Sequence, residues 1–63
     1  MEELYIRAIK GAILKLKNPK TSEEDRTEAM RAAGRNLGKL RLINEGFYLD
    51  LLEEYKTVIP YDG

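Results

Sequence analysis

The densest run of proton-exchanging groups in the chain is Glu23-Glu24-Asp25. Neighbouring carboxylates work as acid and base only when desolvation and opposed environments drive their pKa values apart. A simpler role is open to them. Thr21-Ser22-Glu23-Glu24 and Ser22-Glu23-Glu24-Asp25 each place a carboxylate three residues after a hydroxyl, the pattern that caps a helix N-terminus. The helix dipole also favours negative charge in that first turn. Capping accounts for the cluster, and no catalytic residue is assigned. Metal chemistry lacks its usual donors too. The chain has no His and no Cys, and no segment follows the calcium-loop pattern. No cofactor and no small-molecule substrate are expected.

Gly34-Arg35-Asn36-Leu37-Gly38-Lys39 invites comparison with phosphate-binding loops. Such a loop needs two glycines five apart, then Lys and a hydroxyl residue, all after a strand. Here the glycines are four apart, Leu40 stands in place of the hydroxyl, and a helical pattern precedes. Small residues at a helix crossing or a helix end fit better.

Arg31, Arg35 and Lys39 recur every four residues and so share one helix face, with Arg41 nearby. Such an array can track phosphates and make binding salt-dependent. Glu24 and Glu28 continue the same face toward the N-terminus, so the stripe runs acidic to basic, as the dipole prefers. Glu28 and Arg31 are placed for an i,i+3 pair. A solvated face, or salt bridges from it to Asp50, Glu53 and Glu54, is expected ahead of a nucleic-acid footprint. A helix-turn-helix within residues 22–43 would offer Asn36, Lys39 and Arg41 to bases. Its first helix would be long, however, and Arg35 would sit where packing asks for an apolar residue.

The charge balance has the same two-sided reading. Lys plus Arg equals Asp plus Glu, eleven each. Residues 1–43 hold ten basic and six acidic groups, net +4, whereas residues 44–63 hold one and five, net −4. A basic helix packed on an acidic one explains this asymmetry without a partner, and a nucleic-acid surface is the alternative.

Phe47, Tyr48, Tyr55 and Tyr61 gather near the C-terminus. Phe47 and Tyr48 stand about 100° apart on a helix, so one small core cannot easily take both. One of them is expected to face outward. Phe47, Tyr48 and Tyr61 are therefore the candidate anchors for a protein partner, with cover for the end of the bundle as the equal alternative.

Three amphipathic helices must position these groups. On the first, about 2–17, Tyr5, Ile6, Ile9, Ala12, Ile13 and Leu16 form the apolar stripe, which Leu4 and Ala8 widen. Leu14 lies off that stripe. Asn18-Pro19 ends the helix, because proline restricts the residue before it and cannot donate the continuing bond. The second helix, about 22–40, carries Ala29, Ala33, Leu37 and Leu40, flanked by Met30 and Ile43. Gly34 and Gly38 leave open whether it runs to about Ile43 or breaks near Gly38. Leu42 falls on its charged side. Asn44-Glu45-Gly46 reads as a turn. The third helix, about 46–57, turns Tyr48, Leu51, Leu52 and Tyr55 to one face, and residues 58–63 are expected to be an extended tail.

The fold expected is all-α: a small three-helix bundle, or a helical hairpin with a short third helix. With 63 residues, 43% hydrophobic content and no disulfide, the chain forms one domain with little core. Completion as a homodimer is expected, with Leu14 and Leu42 available to be covered. The acidic start Met1-Glu2-Glu3 and the charges Arg7, Lys10 and Lys15 fit neither an export signal nor a membrane span, so a cytoplasmic setting is expected. The first helix has the basic and apolar faces of a membrane-surface helix, but only Tyr5 stands where such helices favour Trp or Phe. The function expected is a non-enzymatic interaction or regulatory module acting through protein–protein contacts. A small nucleic-acid-binding regulator using the basic face of the second helix is the alternative.

Overall fold

The computed structural model describes residues 2–59. They form three packed helices, α1 (Glu2–Lys17), α2 (Glu23–Ile43) and α3 (Glu45–Lys56). Among the described residues there is no strand, and the architecture is a small all-α bundle.

The link between α1 and α2 is built by the residues that stop the first helix. Asn18 and Pro19 take the first two places of a four-residue turn closed by Thr21 N–H donating to Asn18 O at 3.2 Å. The Asn18 side chain accepts from Lys20 N–H. The Thr21 hydroxyl donates to Lys15 O at 2.7 Å, and Arg26 reaches from α2 to donate to Leu16 O at 3.3 Å. Two carbonyls left over at the end of α1 are thereby satisfied, one of them by a cation, which the dipole favours there. Ser22 is the N-cap of α2, its hydroxyl accepting from Asp25 N–H at 3.2 Å.

α2 runs unbroken through Gly34 and Gly38 to Ile43, three residues past the expected end. Each glycine weakens a helix by roughly 1 kcal/mol against alanine. Burial of Ala29, Ala33, Leu37 and Leu40 along one face on both sides of the glycines outweighs that loss. Asn44 alone separates α2 from α3. Its N–H donates to Leu40 O at 2.7 Å, its Oδ1 accepts from Phe47 N–H at 3.2 Å, and its carbonyl accepts from Tyr48 N–H at 3.0 Å. The side-chain amide donates to the carboxylate of Glu2. The segment read as a three-residue turn is thus one residue.

The core falls into two adjoining groups. Ile9, Ile13, Leu37, Leu40 and Leu51 form the first, with Tyr5, Ile6, Tyr48 and Leu52 packed around it. Ala12, Leu16, Ala29 and Ala33 form the second, covered by Met30 and Ile59. Tyr55 and Val58 touch both. Small residues at the α1–α2 contact let the helices approach closely but bury little area each. Thr57 and Val58 continue from α3 as a turn, with Val58 N–H donating to Tyr55 O, so the chain is not extended from 58. The extended tail, where it concerns residues 60–63, lies outside the described residues, and so does Tyr61. No helix among the described residues is long and apolar enough to cross a membrane.

Candidate interaction surface

α2 and α3 display most of the groups singled out in the sequence. Arg31, Arg35, Lys39 and Arg41 are all exposed. Two of them are engaged within the chain. The Lys39 ammonium stands 5.8 Å from the Tyr5 ring centroid, and the Arg41 guanidinium 5.8 Å from that of Tyr48. Contacts of this kind at exposed sites contribute about 0.5–1 kcal/mol.

Of the two arrangements expected for the α2 basic face, the salt bridges to the α3 carboxylates do not form, and the face is exposed. Among the described residues the ion pair present is Lys17–Glu54, at 3.9 Å with both side chains half exposed. The pair Glu28–Arg31 is not closed either. The reason lies in how α3 is rotated. Tyr48, Leu51, Leu52 and Tyr55 take its inward face, which leaves Asp50 and Glu53 pointing away from α2. Arg31 and Arg35 are therefore cations without a carboxylate partner among the described residues.

Of the adjacent aromatics, Tyr48 is half-buried against the main core and Phe47 faces outward at 48% exposure. The geometry divides the pair as their angular separation requires. Leu42 is 86% exposed and Leu14 67%. Both stand off the buried stripes, as their positions on the helical wheel demand. Ile43, expected to flank the α2 stripe, is exposed, and Leu4, expected to widen the α1 stripe, is exposed as well. On the helical wheel Leu4 lies about 140° from the centre of the α1 stripe, and Ile43 about 75° from that of α2.

Sequence reasoning passed over Leu49, which is half exposed beside Asp50 and Glu53. Its signal was available: on α3 it lies about 120° from the centre of the Tyr48–Leu51–Leu52–Tyr55 face. Asn44 was read as part of a turn, and its fourfold bonding went unrecognised.

The carboxylate cluster sits in the open. Glu23, Glu24 and Glu28 border a surface depression of about 800 Å³ together with Arg26 and Met30. The three clustered carboxylates, Glu23, Glu24 and Asp25, are all exposed, as is Glu28. A second furrow of about 430 Å³ follows the α1–α2 seam, floored by Ala8, Gly11, Ala12, Ala29 and Ala32. The titrating group with a clear displacement is the Tyr55 phenol, whose pKa burial pushes above its ordinary 10.0. Its hydroxyl donates to Met30 O at 3.5 Å, the long limit for such a bond.

Compared with protein families, curated proteins and solved structures, the chain matches none.

Proposed function

We propose that this protein is a non-enzymatic helical interaction module, acting in the cytoplasm through protein–protein contacts. The observation that carries this reading is the apolar corner where α2 meets α3. Leu42 and Ile43 end one helix and Phe47 lies in the first turn of the next, all three turned to solvent. Covering a large apolar side chain is worth about 1.5–3 kcal/mol, so three of them offer a partner several kcal/mol. Aromatic and aliphatic anchors ringed by charge are the composition of an interface centre. Arg35 and Arg31 stand about two and three turns before Leu42 to set orientation. Tyr48, packed against the core, is less available than Phe47.

The test is capture with the wild-type chain and with Leu42→Lys/Phe47→Lys, followed by titration of the purified partner. Both sites are exposed, so far-UV circular dichroism should be unchanged. Affinity is expected to fall about 10-fold or more in the double variant. A partner that binds both chains equally would remove the corner from the reading.

A second reading has its own observation. Arg31 and Arg35 have no carboxylate partner among the described residues, so both are available to phosphates. Anisotropy with a labelled short duplex DNA at two salt concentrations tests it. Binding that weakens with salt and with Arg31→Ala/Arg35→Ala would place nucleic acid first.

A further inference from the structure

We infer that the partner of this interaction module is a second copy of the chain, the α2 face of Arg31, Arg35 and Leu42 meeting the α3 face of Leu49, Asp50 and Glu53. The inference rests on the proposed protein-interaction reading and specifies its occupant.

Complementarity carries it. On α2, Arg31, Arg35 and Leu42 are four and seven residues apart and fall within about 40° of arc, opposite the buried stripe. On α3, Leu49, Asp50 and Glu53 occupy the outward side opposite Tyr48 and Leu51. Each face is thus an exposed leucine beside two like charges, cationic on one helix and anionic on the other. The chain balances its charges overall, eleven against eleven, yet among the described residues Arg31 and Arg35 are not paired with Asp50 and Glu53. A single copy therefore displays both halves of a matched pair. Gly34 and Gly38 leave the space beside the α2 face clear, since a Cβ at either would meet nothing within 4 Å. Tyr48 and Tyr5 stand beside Arg41 and Lys39, so of these four α2 cations Arg31 and Arg35 have neither an aromatic nor a carboxylate neighbour among the described residues.

Such a contact uses different patches on the two copies. It closes as a dimer if two of them form about a twofold axis, and it otherwise propagates head to tail. Charge reversal reads it in either geometry. Arg31→Glu/Arg35→Glu makes both faces acidic, and Asp50→Lys/Glu53→Lys makes both basic. Each variant alone repels itself, whereas a mixture pairs acidic α2 with basic α3 and basic α2 with acidic α3.

Sedimentation equilibrium would be run on the wild type, each variant and their equimolar mixture, in a series reaching about 1 mM. Wild-type association that weakens as salt rises is expected. Each variant should associate about 10-fold or more weakly, and the mixture should regain wild-type behaviour. A wild type monomeric throughout the series overturns the inference, as does association that the reversals leave unchanged. In either case Leu42→Lys/Phe47→Lys still decides the wider reading, because loss of a different protein's binding in that variant keeps the corner as an interface. If a variant loses helicity, the salt dependence of the wild type and the single changes Arg35→Glu and Glu53→Lys replace it, judged by the same criteria.

Discussion

The side-chain amide of Asn44 donates to the carboxylate of Glu2, 42 residues away, and ties the start of α1 to the junction of α2 and α3. The same residue accepts from Phe47 N–H and so caps α3. Asn44→Ala should cost about 1–2 kcal/mol for the cap alone, read as a lower urea midpoint. Asn44→Asp keeps the acceptor but sets a second carboxylate against Glu2. Its deficit relative to wild type should shrink as salt rises, because salt screens the two like charges. A salt-independent deficit would mean that the Glu2 contact contributes nothing.

Gly34 and Gly38 lie inside α2 with open space around them. Gly34→Ala and Gly38→Ala should each stabilise the fold by about 0.5–1 kcal/mol. Thermal melts of the two single variants and the double variant check this. If stability rises while self-association weakens, the glycines serve close approach of another helix rather than the fold.

Leu40 and Leu42 are two residues apart and opposite in burial, 0% against 86% exposed. Leu40→Ala should cost about 2–5 kcal/mol, enough to unfold much of so small a protein. Leu42→Ala should change monomer stability by less than about 0.5 kcal/mol. Similar losses at the two positions would contradict the orientation of the end of α2.

The Tyr55 phenol gives a pH dependence with a definite sign. Its pKa is raised in the folded state, so the neutral form is preferred there. The stabilisation this represents is complete below the unfolded value near 10 and is lost as pH rises through the folded value. Tyr55→Phe should flatten the alkaline fall in melting temperature, while at neutral pH it loses only the long bond to Met30 O. An alkaline limb identical in the two proteins would sink the assignment.

Local rules reach unevenly into this fold. α1 is legible in full, because its apolar stripe is uninterrupted and Asn18-Pro19 ends it by covalent geometry. The capping of α2 by Ser22 is legible for the same local reason. Continuity through Gly34 and Gly38 is not, since intrinsic propensity argues for a break and only tertiary burial of Leu37 and Leu40 holds the helix together. The proposed interaction surface is half visible in the sequence. Wheel positions assign Leu14 and Leu42 to the outside and require either Phe47 or Tyr48 to join them. Which aromatic turns out, and whether Asp50 and Glu53 meet Arg31 and Arg35, depends on the rotation of α3 about its own axis. That rotation is set by packing against two other helices, and no single segment encodes it.

The one-residue junction at Asn44 is the elbow of the fold. Its backbone, at φ −155° and ψ 89°, is all that interrupts helical geometry between Glu23 and Lys56. Give that position a helical dihedral pair and α2 and α3 fuse into one shaft of roughly 50 Å. Such a shaft would carry Leu51 away from Ile9 and Ile13 and open the core. The compact arrangement of three helices thus depends on the dihedral angles of one residue.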